Sequence, residues 1–115
     1  MKKIFTLCFL IGTILLGATP KEIKSEFEAN AARAKNKYKN QTAIVEIDIK
    51  KISEGAFGNT LNIVDKTGAV MIVIPENKYN DDVFNLDAGQ KIKVEVRPRE
   101  MTFGIVSLDF IKFIK

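Results

Sequence analysis

The chain has 115 residues, with 18 Lys and Arg against 14 Asp and Glu, a formal net charge of +4. Hydrophobic residues make up 46% and charged residues 28%, which is typical of a folded globular protein and excludes a disordered chain. There is no His and only one Cys, so imidazole catalysis, paired-cysteine zinc sites and internal disulfides are excluded. The length predicts a single domain.

The beginning of the chain predicts an export signal. Two lysines follow Met1, and residues 4–18 carry no charge, which is the pattern of a secretory signal peptide. As a helix this run reaches ~22 Å, short of a ~30 Å hydrocarbon core, so a membrane-spanning helix is less well supported. We predict a signal peptide over residues 1–18, cleaved after Ala18 or Thr19, and a periplasmic or secreted protein. An uncleaved N-terminal anchor is the alternative, and Cys8 lies too early for a lipid-attachment site.

An amphipathic helix is predicted for Lys21–Lys39, within an N-terminal segment of residues 19–41. Pro20 favours a helix start, and Asn40 favours its end. Apolar residues recur at spacings of four, four, three and four, and so share one stripe. They are Ile23, Phe27, Ala31, Ala34 and Tyr38.

From residue 42 to 115 the hydrophobic period changes to two, which predicts five β-strands. We place them at 43–52, 60–64, 69–74, 91–97 and 105–113. Asp65–Gly68 is a tight turn in which Gly68 takes a positive φ, and Pro98 ends the fourth strand. A short helical turn is expected in the connection 75–90, around Val83 and Phe84.

The third strand is apolar on both faces, since residues 69–74 are all hydrophobic. One face belongs to the core, and the other needs a cover. The amphipathic helix is the favoured cover, because its own apolar stripe needs a surface. A partner or a ligand is the alternative.

Five short strands with a long connection between the third and fourth are the pattern of an OB-fold, a Greek-key barrel. The chain also resembles the bacterial extracytoplasmic tRNA-anticodon-like OB-fold family over residues 28–113. The segments that carry this resemblance are Asn30–Ala34, Tyr38–Gln41, Val45–Ile52 and Ala88–Val94. The resemblance implies a small exported barrel protein; the family is named for its fold and not for a demonstrated RNA activity.

The chain departs from this family at two strand positions. Ile47 and Val96 stand where the resemblance implies glycine. Glycine eases the bending of a strand around a barrel. The departure leaves two alternatives, a closed barrel or a flatter, more open sheet, and it does not alter the expected strand order.

Two loops of the expected barrel carry aromatic rings and positive charge. OB-folds bind ligands along strands two and three, between the loop joining the first two strands and the loop joining the last two. These loops are residues 53–59 and 97–104. The predicted ligand groove consists of Phe57, Asn62, Arg97, Arg99 and Phe103.

Each groove residue also has a purely structural interpretation. A loop Phe can plug the end of a small barrel, and arginines can protect an exposed strand edge. If they bind ligand, the rings stack on bases and the arginines contact phosphates. Removal of the signal leaves 16 basic and 14 acidic residues, a net charge of +2 that gives weak support to a phosphate-backbone binder.

Oxygen-bearing side chains crowd the connection after the third strand. Calcium takes such ligands, but their spacing fits no EF-hand, and Asn and Asp are common in turns. The residues are Glu76, Asn77, Asn80, Asp81, Asp82 and Asp87. We predict no metal and no cofactor. Enzyme activity is not expected, because no His activates a serine and nothing places a carboxylate pair in an apolar pocket.

The sequence thus predicts a mainly β protein: a signal peptide, an N-terminal amphipathic helix and a five-stranded OB-fold Greek-key barrel. We predict an exported, non-catalytic binding module of the cell envelope. Its partner is expected to be a protein, a peptide or a glycan, because the fold fixes a concave surface and not its chemistry. The alternative is a single-stranded nucleic-acid binder.

Overall fold

The computed structural model describes residues 14–115; residues 1–13, which include Cys8 and most of the predicted signal peptide, lie outside the described residues. Two helices separate the first strand from the other five. In chain order they are β1 (Ile14–Ala18), α1 (Pro20–Ala29), α2 (Ala31–Lys39), β2 (Thr42–Glu54), β3 (Thr60–Asp65), β4 (Val70–Pro75), a 3₁₀ turn (Glu76–Lys78), α3 (Asp81–Phe84), β5 (Lys91–Thr102) and β6 (Ile105–Phe113).

Strands β2 to β6 form a closed barrel, which confirms the predicted OB-fold. Their order is β2-β3-β4-β6-β5, and β5 pairs again with β2. Closure depends on the length of β2, whose residues 43–48 pair with β5 while residues 49–54 pair with β3. Strand β1 lies outside the barrel and pairs in parallel with residues 42–45 of β2.

The barrel closes without glycine at positions 47 and 96, so the flatter or more open sheet is excluded. Ile47 and Val96 point inward and are fully buried, and the ladder that contains them closes the barrel. The pairing register shifts between Ile49 and Lys51, and again along the β5–β6 pair. Bulges of this kind bend a strand and increase its twist. They supply the curvature for which glycine was expected.

The single predicted helix is two helices joined at Asn30. Asn30 has an extended backbone, its side chain accepts a hydrogen bond from the N–H of Arg33, and its own N–H donates to the last turn of α1. It therefore ends one helix and caps the next. Because of this break, the five residues of the predicted apolar stripe do not all face the core. Ala31 is exposed, and the other four are buried.

The helices close one end of the barrel. Ile23 and Phe27 of α1 are buried in the barrel core, and α1 contacts β2, β4, β5 and β6. The beginning of β4 meets α1 next to Ala69. The helix therefore does not cover the second face of β4, and that expectation is wrong.

A small polar cluster ties the two helices together. The Tyr38 hydroxyl donates to a Glu26 carboxylate oxygen at 2.5 Å, Lys37 pairs with the same carboxylate, and the ring of Tyr38 stacks on Phe27. Burial raises the pKa of the Tyr38 phenol above its usual range, and the Glu26 carboxylate raises it further. The tyrosine is neutral across the physiological range.

The turn between β3 and β4 is as predicted. The buried Asp65 carboxylate accepts hydrogen bonds from the N–H groups of Thr67 and Val70, and Gly68 has φ +77°. The end predicted for the fourth strand is wrong, because β5 continues through Pro98 to Thr102. Pro98 lies at a register shift of the β5–β6 ladder, where a strand tolerates a residue without an N–H.

Candidate ligand-binding face

The candidate site is the outer surface of β3 and β4, which we call the strand face. Alternate residues of β4 are fully buried, so the residues between them point outward and are partly exposed. The cross-strand register places the outward residues of the two strands in facing pairs. The strand face consists of the pairs Thr60–Pro75, Asn62–Val73 and Val64–Met71.

The strand face has an apolar centre with polar borders. On one side, Lys51 and Ser53 of β2 lie beside β3. On the other side, Ser107 and Asp109 of β6 lie beside β4. Val73 of the centre lies directly between Asn62 and Asp109. Such a surface offers van der Waals contact in the middle and hydrogen bonds at its edges.

Phe57 stands at one end of the strand face. It lies in the loop between β2 and β3, and its side chain is 92% exposed. The loop sits at the end of β4, since Thr60 pairs with Pro75. Gly58, at φ +72°, completes the tight backbone that presents the ring. The interpretation of Phe57 as a plug of the barrel is therefore wrong.

Phe103 stands at the opposite end. It is 99% exposed and forms the turn between β5 and β6 with Gly104. Both residues have positive φ, +52° and +79°, which is the pattern of a type I′ hairpin turn. The turn lies beside the beginning of β4, because Val70 pairs with Val106. Phe103 is not a plug either.

The backbone of Phe103 adds a second reason to look for a ligand there. The left-handed region costs most L-residues roughly 1–2 kcal/mol, and Asn is the usual non-glycine residue in it. Phe103 bears this cost without burying its ring. Strained, exposed residues of this kind cluster at functional sites.

Asn62 lies on the strand face, as the groove prediction requires. Its Oδ1 accepts a hydrogen bond from the hydroxyl of Thr60 at 3.3 Å. The side chain is partly exposed. Its amide NH₂ can donate two hydrogen bonds to a ligand.

Arg97 does not contribute to the strand face. Its guanidinium donates to the carbonyl oxygens of Tyr38 and Lys39, both at 3.0 Å, at the end of α2. A third carbonyl, that of Gln41, lies at 3.5 Å. A cation at the carboxyl end of a helix satisfies its last carbonyls and its dipole. The structure therefore gives Arg97 a capping role, which corrects its predicted position in a ligand loop.

Arg99 borders the strand face but is already paired. It belongs to β5, not to a loop. Its Nε lies 3.0 Å from Asp109, and a second nitrogen lies 3.7 Å from Glu100. All three side chains are about half exposed, so water weakens these ion pairs. A ligand phosphate can compete for this guanidinium.

The centre of the strand face was not predicted from the sequence. Met71 and Val73 were expected to lie under the helix, and Lys51 was not among the predicted groove residues. The apolar third strand was the available signal, because its second face needs a cover. Within residues 14–115 no group of three acidic, Cys or His side chains lies close enough to hold a metal ion. In the same range no helix has the length and apolar character to cross a bilayer.

Comparisons with known proteins identify the fold. No protein-family model matches the chain, and no curated protein matches it. A solved structure from Klebsiella pneumoniae, described as a "putative nucleic acid-binding lipoprotein", aligns with a TM-score of 0.63. The alignment covers 85% of this chain and 92% of that one, at 18% sequence identity. At this identity the similarity shows a shared barrel fold.

Proposed function

We propose that the protein is a non-catalytic binding module whose strand face holds single-stranded nucleic acid. The observation that carries this proposal is the pair of exposed rings, Phe57 and Phe103, at opposite ends of the strand face. Unpaired bases stack on aromatic rings, and each stacked base contributes ~1–3 kcal/mol. The rings are spaced along the strands, which suits an extended polymer more than a compact small molecule.

Other residues of the strand face fit the same ligand. The Asn62 amide and the Ser53 hydroxyl provide hydrogen-bond donors, and Lys51 provides a positive charge. Arg99 becomes available to a phosphate if it leaves Asp109. The solved structure from Klebsiella pneumoniae supports this class of ligand, because its fold is similar and its name refers to nucleic-acid binding.

A peptide or other envelope component is the second candidate, favoured by a specific observation. The centre of the strand face is apolar: Val64 is paired with Met71, and Val73 is the next outward residue of β4. Its arginine is neutralised by two carboxylates. A surface of this kind suits an apolar partner, so the salt dependence of binding separates the two candidates.

The deciding experiment is a titration with oligothymidylate about 12 nucleotides long, within the ~4–16 nucleotides that one OB-fold covers. We expect fluorescence anisotropy to show binding that weakens as salt rises. Phe57→Ala and Phe103→Ala should each weaken it about 5- to 150-fold, from the loss of one stacked base.

Phe84→Ala is the matched control. Phe84 is also an exposed ring, at 64%, but it belongs to α3 and lies off the strand face. Its loss should weaken binding far less than the loss of Phe57 or Phe103, because its edge-to-face contact is with Tyr79, outside the strand face. Absence of binding at low salt would refute the nucleic-acid proposal and favour the peptide candidate.

We also propose that the protein is exported and that cleavage follows Ala18. Thr19 caps α1: its hydroxyl accepts a hydrogen bond from the N–H of Glu22, and the Glu22 carboxylate accepts one from the N–H of Thr19. Cleavage after Thr19 would remove this cap, whereas cleavage after Ala18 keeps it and places a new ammonium group beside Glu22. Either cut removes β1, which lies outside the barrel, and leaves the β2–β6 barrel complete. N-terminal sequencing of protein from the envelope tests this; Met1 at its N-terminus would contradict it.

A further inference from the structure

A surface pocket of about 370 Å³ opens where β4 ends. Its walls are the segment that follows β4 and the last residues of β6. The β4–β6 ladder ends at the pair Val73–Asp109, so the pocket begins just past the strand face. Phe57 flanks the same end of β4 on the β3 side. A polymer that crosses the strand face toward this end therefore reaches the pocket.

Two lysines of the pocket retain hydrogen-bonding capacity. Lys78 uses one donor on the carbonyl oxygen of Ile111, at 3.3 Å, and an ammonium group has three. Lys112 lies 4.0 Å from the carboxylate of Glu95, and its side chain is mostly exposed. The third lysine, Lys115, is paired with Asp82 at 3.0 Å. Asp82 is the one carboxylate side chain that lines the pocket within residues 14–115.

The position of Lys78 is fixed by the fold. The β5–β6 register shifts beside Ile111, and this bulge turns the Ile111 carbonyl toward Lys78. The 3₁₀ turn follows directly after β4 and brings the lysine over the end of β6. One hydrogen bond, to the carbonyl oxygen of Ile111, thus places the ammonium group at the pocket.

The pocket also has aromatic walls. Phe110 and Phe113 meet edge to face, with ring centroids 4.9 Å apart, and Tyr79 lines the pocket with them. Partial burial raises the pKa of the Tyr79 phenol, and the carboxylates of Glu76 and Glu54 raise it further. The hydroxyl therefore stays protonated at neutral pH.

From this placement we propose that the pocket binds a phosphate group of the polymer that occupies the strand face, with Lys78 and Lys112 as its ligands. The inference rests on the proposed function and adds a direction to it: the bound nucleic acid leaves the strand face on the β6 side. The stacked bases lie between Phe103 and Phe57, and the anchored phosphate lies beyond them.

The test uses the double variant Lys78→Gln/Lys112→Gln. Each phosphate contact of a single strand contributes ~0.7 to the slope of log K against log salt, so the slope for oligothymidylate should fall by about 1.4. Glutamine keeps most of the side-chain length while it removes the charge. The control is the double variant Lys35→Gln/Lys39→Gln. Both side chains are exposed, and both belong to α2, which packs against β5. The salt slope of this variant should equal that of the unmodified protein.

The outcomes separate the two proposals. An unchanged slope in the pocket variant, with binding otherwise intact, overturns the phosphate pocket and leaves the strand face in place. An equal fall in the α2 variant also overturns it, because the effect is then general electrostatics. If the unmodified protein binds no oligothymidylate, the proposed function fails, and the pocket proposal fails with it. Unfolding curves for both variants confirm that the barrel is intact.

Discussion

The helical end of the barrel and the strand face use the same residue types in opposite ways. At the helical end, Phe27 is buried and stacked on Tyr38, and Arg97 is held by three carbonyl groups of the chain. Beside the strand face, Phe103 is exposed at the tip of a turn, and Arg99 makes only solvent-exposed ion pairs. Phenylalanine and arginine therefore stabilise one region and remain available to a ligand in the other.

This difference separates a region that stabilises the fold from a region that contributes little to its stability. The helical end buries its large apolar side chains, Ile23, Phe27 and Tyr38, which is how small domains reach adequate stability. The strand face keeps apolar groups in water and holds one residue in a strained backbone. Both features cost stability, and the binding role proposed above would account for them.

The sharpest test of the comparison is the loss of a ring in each region. Phe27→Ala should lower the free energy of unfolding by ~3–5 kcal/mol, because it leaves a cavity in the core. Phe57→Ala should change it by less than ~0.5 kcal/mol, since nothing is packed against the ring. Urea unfolding measures both. A comparable loss in the two variants would mean that the Phe57 loop packs on the barrel in solution.

The two arginines give a smaller contrast. Arg97→Ala should destabilise the fold by ~1.5–3 kcal/mol, the range for hydrogen bonds that involve a charged group. Arg99→Ala should cost no more than ~1 kcal/mol, because its partners are exposed. Thermal unfolding measures both effects. If Arg99→Ala proves the more damaging, the assignment of Arg97 as a cap is wrong.

The strained turn allows a change that separates stability from binding. Phe103→Asn suits a type I′ turn, so it should stabilise the protein by about 1 kcal/mol and raise Tm by ~4–8 °C. The same change removes a stacking ring, and oligothymidylate should bind more weakly. Calorimetry and anisotropy on one sample report both quantities. Loss of stability would show that Phe103 makes contacts in the free protein.

The smallest expected effect concerns alkaline pH. Burial and Glu26 hold the pKa of Tyr38 above its usual value, so the unfolded chain loses this proton at a lower pH than the folded protein. The stabilising contribution is complete below about pH 10 and declines as the pH rises further. Tyr38→Phe should show a shallower decline above pH 10 in urea titrations. Equal slopes would indicate that the phenol is not protected by the fold.

Much of the barrel follows from local patterns. Alternation of apolar and polar residues predicted five strands, and the observed β3, β4 and β6 agree with it to within one residue at either end. Gly68 and the turn around it also agree. The break at Asn30 and the continuation of β5 through Pro98 were missed, because each depends on partners supplied by the fold.

The candidate site was predictable only in part. Phe57, Asn62 and Phe103 belong to it, whereas Arg97 does not. An arginine near a hairpin has the same local sequence whether it contacts a phosphate or the end of a helix. The contact with α2 joins residues almost sixty positions apart, so no local pattern reports it.

The sequence by itself determined the secondary structure class, the positions of most barrel strands and the two loops that carry aromatic rings. These follow from periodicity and turn chemistry, which act between near neighbours in the chain. Only the tertiary structure decided which rings are exposed, which arginine is occupied and where the helices pack. Burial and pairing depend on which distant segments meet in space, and Ile23 and Phe27 of α1 are buried only because the folded barrel provides a core for them to join.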